Sequence, residues 1–225
     1  MLLQAIGAAL PAAVVVALSP FPVIGIVLIL AGVHGRRNGP LFALGWMAGL
    51  TLVTVIVTAL LGGADDPEST ASAIADWSRV VVGAALIIIG VRTWWQRPRH
   101  GEQVEEPKWM ASLDDVSAGK ALLLGLVLSG ANPKNFMLAG AATTSIIEAG
   151  VHGSDLVIAV SVFVLVGSIT VLGAVCLHLI GGQRGISVLE SVRQFMVDYS
   201  MAISVIILLI LGAKVLGDGL IGLGR

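Results

Sequence analysis

Asn132-Pro133-Lys134 stands inside one apolar stretch, Ala121–Glu148, and Ser19-Pro20-Phe21-Pro22 stands inside another, Leu2–Val33. Serine and asparagine are good helix N-caps, and proline is tolerated at the first helical position, where its missing N–H would be unpaired anyway. Each segment therefore reads as the start of a half-helix within an apolar run. Such a terminus presents free N–H groups and about half a positive charge, which suits an anionic group. Lys134 adds a whole charge to the second. It lies about 14 residues beyond Lys120, roughly 20 Å of helix, too deep to snorkel easily to a bilayer surface. A lysine in an apolar span is expensive and marks function by default. The residues expected to bind a cargo are Ser19, Pro20, Pro22, Asn132, Pro133 and Lys134.

Other polar residues are weaker candidates. Thr143 and Thr144 could line a path or bond their own helix carbonyls. His34 and His152 sit where spans meet water, either as solvated helix-end residues or as parts of a proton relay. No Ser/His/Asp grouping, phosphate loop, ATP-binding signature or His/Cys/carboxylate metal spacing is present. The expectation is a non-enzyme with no catalytic residue, metal or cofactor. Cys176 excludes an internal disulfide and reads as a small buried hydrophobe in an apolar run.

These residues need elements to hold them, and composition says which kind. Only 12% of the 225 residues are charged, 56% are hydrophobic, and the mean hydropathy is +0.97. Soluble domains carry roughly 25% charged residues, so the bilayer is the natural solvent. Net charge is −1, which gives no bulk electrostatic case for a nucleic-acid partner. Besides the two interrupted stretches, four plain apolar runs stand out: Leu41–Gly63, Val80–Val91, Leu156–Gly182 and Met201–Ala213. If each interrupted stretch crosses once, the chain crosses six times. Arg36, Arg37, Arg92, Arg97, Arg99, Lys108, Lys120, Arg184 and Arg193 then share one side, facing only Arg79, Lys214 and Arg225 on the other. The positive side is cytoplasmic. Both termini are thus expected outside a cell (inner) membrane, with the polar loop 97–116 in the cytoplasm.

The pentapeptide Ala-Gly-Val-His-Gly occurs at Ala31–Gly35 and again at Ala149–Gly153. It follows Leu18–Pro22 in the first half and Leu128–Pro133 in the second. Ile87–Arg92 and Leu209–Lys214 close the two halves, so three correspondences keep their order at offsets of 110, 118 and 122 residues. With three crossings per half, the second copy must be inserted upside down, a recurring transporter construction with its site near the midplane. The fold expected is all-α and polytopic. Its six transmembrane helices form two inverted three-helix repeats, 1–96 and 117–225, with the first helix of each broken at proline. Gly32 or Gly35 is expected to supply a left-handed cap in the first pentapeptide.

With those residues in view, the chain resembles the LysE transporter superfamily, through Asn-Pro-Lys in the second half and a proline-bearing break in the first. Leu18–Leu30 and Ser129–Ala139, with a charged central loop, most resemble its GAP family, which includes glycopeptidolipid- and sulfolipid-addressing proteins. The resemblance implies export: an integral membrane translocator moving an envelope lipid or amphiphilic anionic cargo to the outer face. Export of a small solute such as an amino acid stays open, as does a non-conducting scaffold for larger export machinery. The partners implied are membrane lipids, a lipid or small-solute cargo, that machinery, or a second copy in a homo-oligomer. Pro20-Phe21-Pro22 departs from amino-acid exporters, whose first break is glycine-rich.

Overall fold

The structure, a computed structural model, describes residues 1–61, 70–95 and 116–224, and the loop expected at 97–116 lies almost wholly outside them. The described residues are helical throughout: α1 (Leu2–Ala17), α2 (Pro20–Ala31), α3 (Gly35–Leu61), α4 (Thr70–Trp95), α5 (Ala118–Gly130), α6 (Pro133–Glu148), α7 (Ser154–Gly167), α8 (Ile169–Ile180) and α9 (Gly182–Leu223). Two single stretches, Gly35–Ala59 and Met201–Leu223, are long and apolar enough to cross a membrane. The pairs α1–α2 and α7–α8 also qualify when each is taken as one bent span, with bends of 53° and 56°. Length and composition thus support two to four crossings of a membrane protein. Leu44, Leu52, Val55 and Ile56 turn outward from α3, as expected where the surrounding solvent is lipid.

Contacts divide the chain into two compact units. The first holds α1–α3, α5–α8 and α9 as far as Val197. Helix α3 is its centre: Phe42, Trp46, Leu50, Thr54 and Val57 recur at three- and four-residue spacing and are all buried, the inward stripe of a helix packed on one face. Its neighbour α5 comes in backbone to backbone. Gly45 abuts the Leu122 carbonyl, Gly49 the Leu126 carbonyl, and Gly125 the Phe42 carbonyl, each leaving no room for a Cβ. Small residues allow this approach in membrane helices. Because 45 meets 122 and 49 meets 126, α3 and α5 run parallel. Asn38, buried on α3, donates from Nδ2 to the Val116 carbonyl and pins the start of α5.

The second unit consists of α4 and the remainder of α9. Here Gly83 meets Leu216, Gly90 meets Leu208 and Leu209, Gly212 meets Ile87, and Gly219 meets Val80. Rising numbers on one helix meet falling numbers on the other, so the pair is antiparallel. Glycines seven apart on both helices (83 and 90, 212 and 219) give one continuous seam.

The structure places the two pentapeptides at equivalent connections: Ala31–Gly35 joins α2 to α3, and Ala149–Gly153 joins α6 to α7. The left-handed backbone is not where the sequence put it. Gly32 has φ −68°, and Gly35 is required for a different reason, since a Cβ there would strike the Leu30 carbonyl. Positive φ values fall instead in the second copy, at Gly150 (67°) and Gly153 (56°), and at Gly182 (51°) at the start of α9. Cys176, expected to be buried, points outward from α8. Pro11 lies within α1 without ending it.

Candidate functional site

Helix α6 opens as its sequence predicts. Asn132 has extended backbone, its side-chain oxygen accepts the Lys134 N–H at 3.0 Å, and Pro133 takes the first helical position. At the other break Ser19 is extended and Pro20 opens α2, but the serine side chain does not cap that helix and turns back to donate to the Val15 carbonyl of α1 at 3.4 Å. The hydroxyl of this buried residue also accepts a hydrogen bond from the Lys134 ammonium at 2.8 Å. Lys134 is therefore held twice, its backbone by one break and its ammonium by the other. Translocon scales put a lysine at a helix centre at about 2.5–3.5 kcal/mol, and one charge-assisted hydrogen bond offsets about 1.5–3 kcal/mol of that. An ammonium has three donors. The Ser19 bond is its only hydrogen bond among the described residues, which leaves two protons for an anion.

Around this latch, side chains close the helix ends that the breaks open. Asn135, fully buried, donates from Nδ2 to the Ser129 carbonyl at 3.0 Å and closes the last turn of α5. Ser129 Oγ turns back onto the Gly125 carbonyl at 2.9 Å. A third break, at Ser168, falls in a stretch that the sequence presents as a plain span. Thr170 Oγ1, in the first turn of α8, donates to the Ala17 carbonyl at 2.7 Å and so ties this break to the end of α1. The three broken helix pairs are thus stitched together: α6 to α1–α2 through Lys134 and Ser19, α8 to α1 through Thr170. Two buried acceptors in this region, Asn135 Oδ1 and Ser168 Oγ, have no hydrogen-bond partner among the described residues. Leaving such an atom unpaired costs about 1–3 kcal/mol.

The family model for Sap, sulfolipid-1-addressing protein, matches residues 9–221. The chain belongs to the Sap family. The match spans both breaks, the central loop and both compact units. This Sap-family chain is accordingly a membrane protein of a lipid-addressing family. No curated protein and no solved structure matches it.

Of the residues singled out in this Sap-family sequence, Ser19, Asn132 and Lys134 are joined directly, and Pro20 and Pro133 start the two half-helices around them. Pro22 is buried in the first turn of α2, where its missing N–H leaves nothing unpaired. Thr143 is buried on α6 and pairs with Thr58 of α3 through their hydroxyls at 3.3 Å. Thr144 is half-buried and makes no side-chain hydrogen bond among the described residues. His34 and His152 are exposed in the two pentapeptide turns, away from the latch. Sequence reasoning missed Asn135, Ser168 and Thr170. Asn135 follows Lys134 directly, and an amide so close behind an Asn-Pro cap was the available signal. Ser168, after Gly167, was marked only by a Gly-Ser pair, a known site of kinks.

Proposed function

We propose that this chain is a LysE-type translocator that moves an envelope lipid or amphiphilic anionic cargo across, or to the outer face of, the cell membrane. The Lys134–Ser19 hydrogen bond carries the reading. It brings a cation and two helix breaks from opposite halves of the chain to one point. Among the described residues two ammonium protons lack partners, as do two buried acceptors of the same unit, and an anionic headgroup with hydroxyl groups has the matching chemistry. Alternating access by two inverted three-helix repeats fits this arrangement. Such repeats require equivalent third helices to run antiparallel, and α4 and α9 do. They also require the second span of one repeat to run parallel with the first span of the next, as α3 and α5 do. The closing motifs add support: Gly90 meets Leu209 while its mate Gly212 meets Ile87, the reciprocity that a local two-fold axis produces. Asn132, Pro133, Ser19, Pro20 and Pro22 shape the pocket, and Lys134 recognises the anion.

The test compares Lys134→Ala and Lys134→Arg at matched membrane abundance, measuring cargo lipid at the cell surface in complemented deletion cells. Lys134→Ala abolishes delivery, and Lys134→Arg restores part of it. If Lys134→Ala delivers normally while shortening the 97–116 loop does not, the chain is a docking scaffold and the translocator reading is wrong. If Lys134→Ala instead stops efflux of a small solute and leaves surface lipid unchanged, the cargo is the solute.

A further inference from the structure

A separate cavity of about 350 Å³ lies in the first unit, at the corner where α2 turns into α3. Its walls are apolar, with Val27 and Leu30 from α2 and Leu189 from α9. Its polar lining is Arg36, His178 and Glu190. Glu190 is already engaged, bonded to Arg193 at 2.8 Å. Arg36 and His178 make no hydrogen bond or ion pair among the described residues, and Arg36 is near enough for its charge to act on the His178 ring. Arg36 is also badly placed for helix stability. It occupies the first turn of α3, a turn with no acidic residue, where the helix dipole repels cations. Arg36, His178 and the first turn of α3 therefore line one pocket, whose single carboxylate, Glu190, is bonded to Arg193 and whose other walls are hydrocarbon. The volume lies at the lower end of the range for small-molecule sites.

We propose that this cavity binds one anionic amphiphile from the leaflet on the Arg36 side, expected to be cytoplasmic, with its headgroup on Arg36 and His178 and its alkyl chain along Val27 and Leu30. The site deepens the translocator reading by giving the cargo class a loading position distinct from Lys134, and it rests on that reading only for its role in transport. The shared chemistry is a phosphate or sulfate group, and the alkyl chain separates a lipid from a free anion.

The test uses the full-length protein in neutral detergent, with bound lipid counted by native mass spectrometry. The probes are phosphatidylglycerol, phosphatidylcholine and glycerol phosphate. Phosphatidylglycerol is retained in preference to phosphatidylcholine. Arg36→Gln lowers its retention about tenfold, the loss of one charge-assisted hydrogen bond, and Arg36→Lys keeps most of it. Ala31→Trp, which fills the cavity from an exposed lining position, removes it with the charges intact. Lys120→Gln, an exposed cation expected on the same side, leaves it unchanged. Equal losses in Arg36→Gln and Lys120→Gln overturn the site in favour of diffuse surface charge. Full retention by Ala31→Trp, or displacement of the lipid by glycerol phosphate at equal concentration, also overturns it. Failure here leaves the Lys134 result standing. Conversely, normal delivery by Lys134→Ala beside a loss of phosphatidylglycerol in Arg36→Gln removes only the translocator reading.

Discussion

Ser19 and Asn132 look alike in sequence, each a small polar residue before a proline, yet they do different work. Asn132 spends its oxygen on its own helix, whereas Ser19 spends its oxygen on Lys134. Their alanine variants should therefore separate. Asn132→Ala removes a cap and costs about 1 kcal/mol, read as a drop in thermal unfolding temperature that is the same with or without Lys134. Ser19→Ala leaves the start of α2 as it is but strips the ammonium of its acceptor. In a double-mutant cycle with Lys134→Met, the Ser19–Lys134 coupling should be about 1–3 kcal/mol. A coupling near zero would mean that the two groups do not interact in the membrane.

At the scale of elements, glycine contacts decide which helices are neighbours, and their dispensability is sharply position-dependent. Gly125→Val and Gly83→Val each drive a side chain into a facing backbone, Phe42 in one case and Leu216 in the other. Overpacking of this kind costs about 1–3 kcal/mol or more, so both should reduce folded yield and unfolding temperature in detergent. Gly119→Val and Gly217→Val point into open space and should be tolerated. The same scale explains what could be read in advance. The breaks before Pro20 and Pro133 were legible because a helix start in mid-span leaves local marks, an N-cap and a proline. The break at Ser168 leaves almost none, because distant residues sustain it: Gly167 packs against Val16 and Leu50, and Thr170 takes the Ala17 carbonyl. Likewise, depth in an apolar run was enough to single out Lys134. Its partner lies 115 residues away, and nothing local to either residue could have named the other.

For the whole molecule, the inverted-repeat reading makes a claim about sides. The two pentapeptide turns occupy equivalent connections, yet if the repeats are inverted they must open to opposite faces of the membrane. Single cysteines at His34 and His152, both exposed, test this in a Cys176→Ser background. A membrane-impermeant maleimide should label His152→Cys in intact cells and His34→Cys only after permeabilisation. Labelling of both under the same condition would put the turns on one side and remove the two-fold relation on which alternating access depends.

The Lys134–Ser19 latch also bears on biogenesis. Its two ends emerge from the ribosome on either side of the central loop, so α1 and α2 wait in the bilayer with Ser19 lacking its ammonium partner until α6 is made. A chain severed within 97–115 should still assemble when its halves are co-expressed. Neither half should hold its own fractured helix pair in register without the other, and each alone should be cleared by membrane proteolysis.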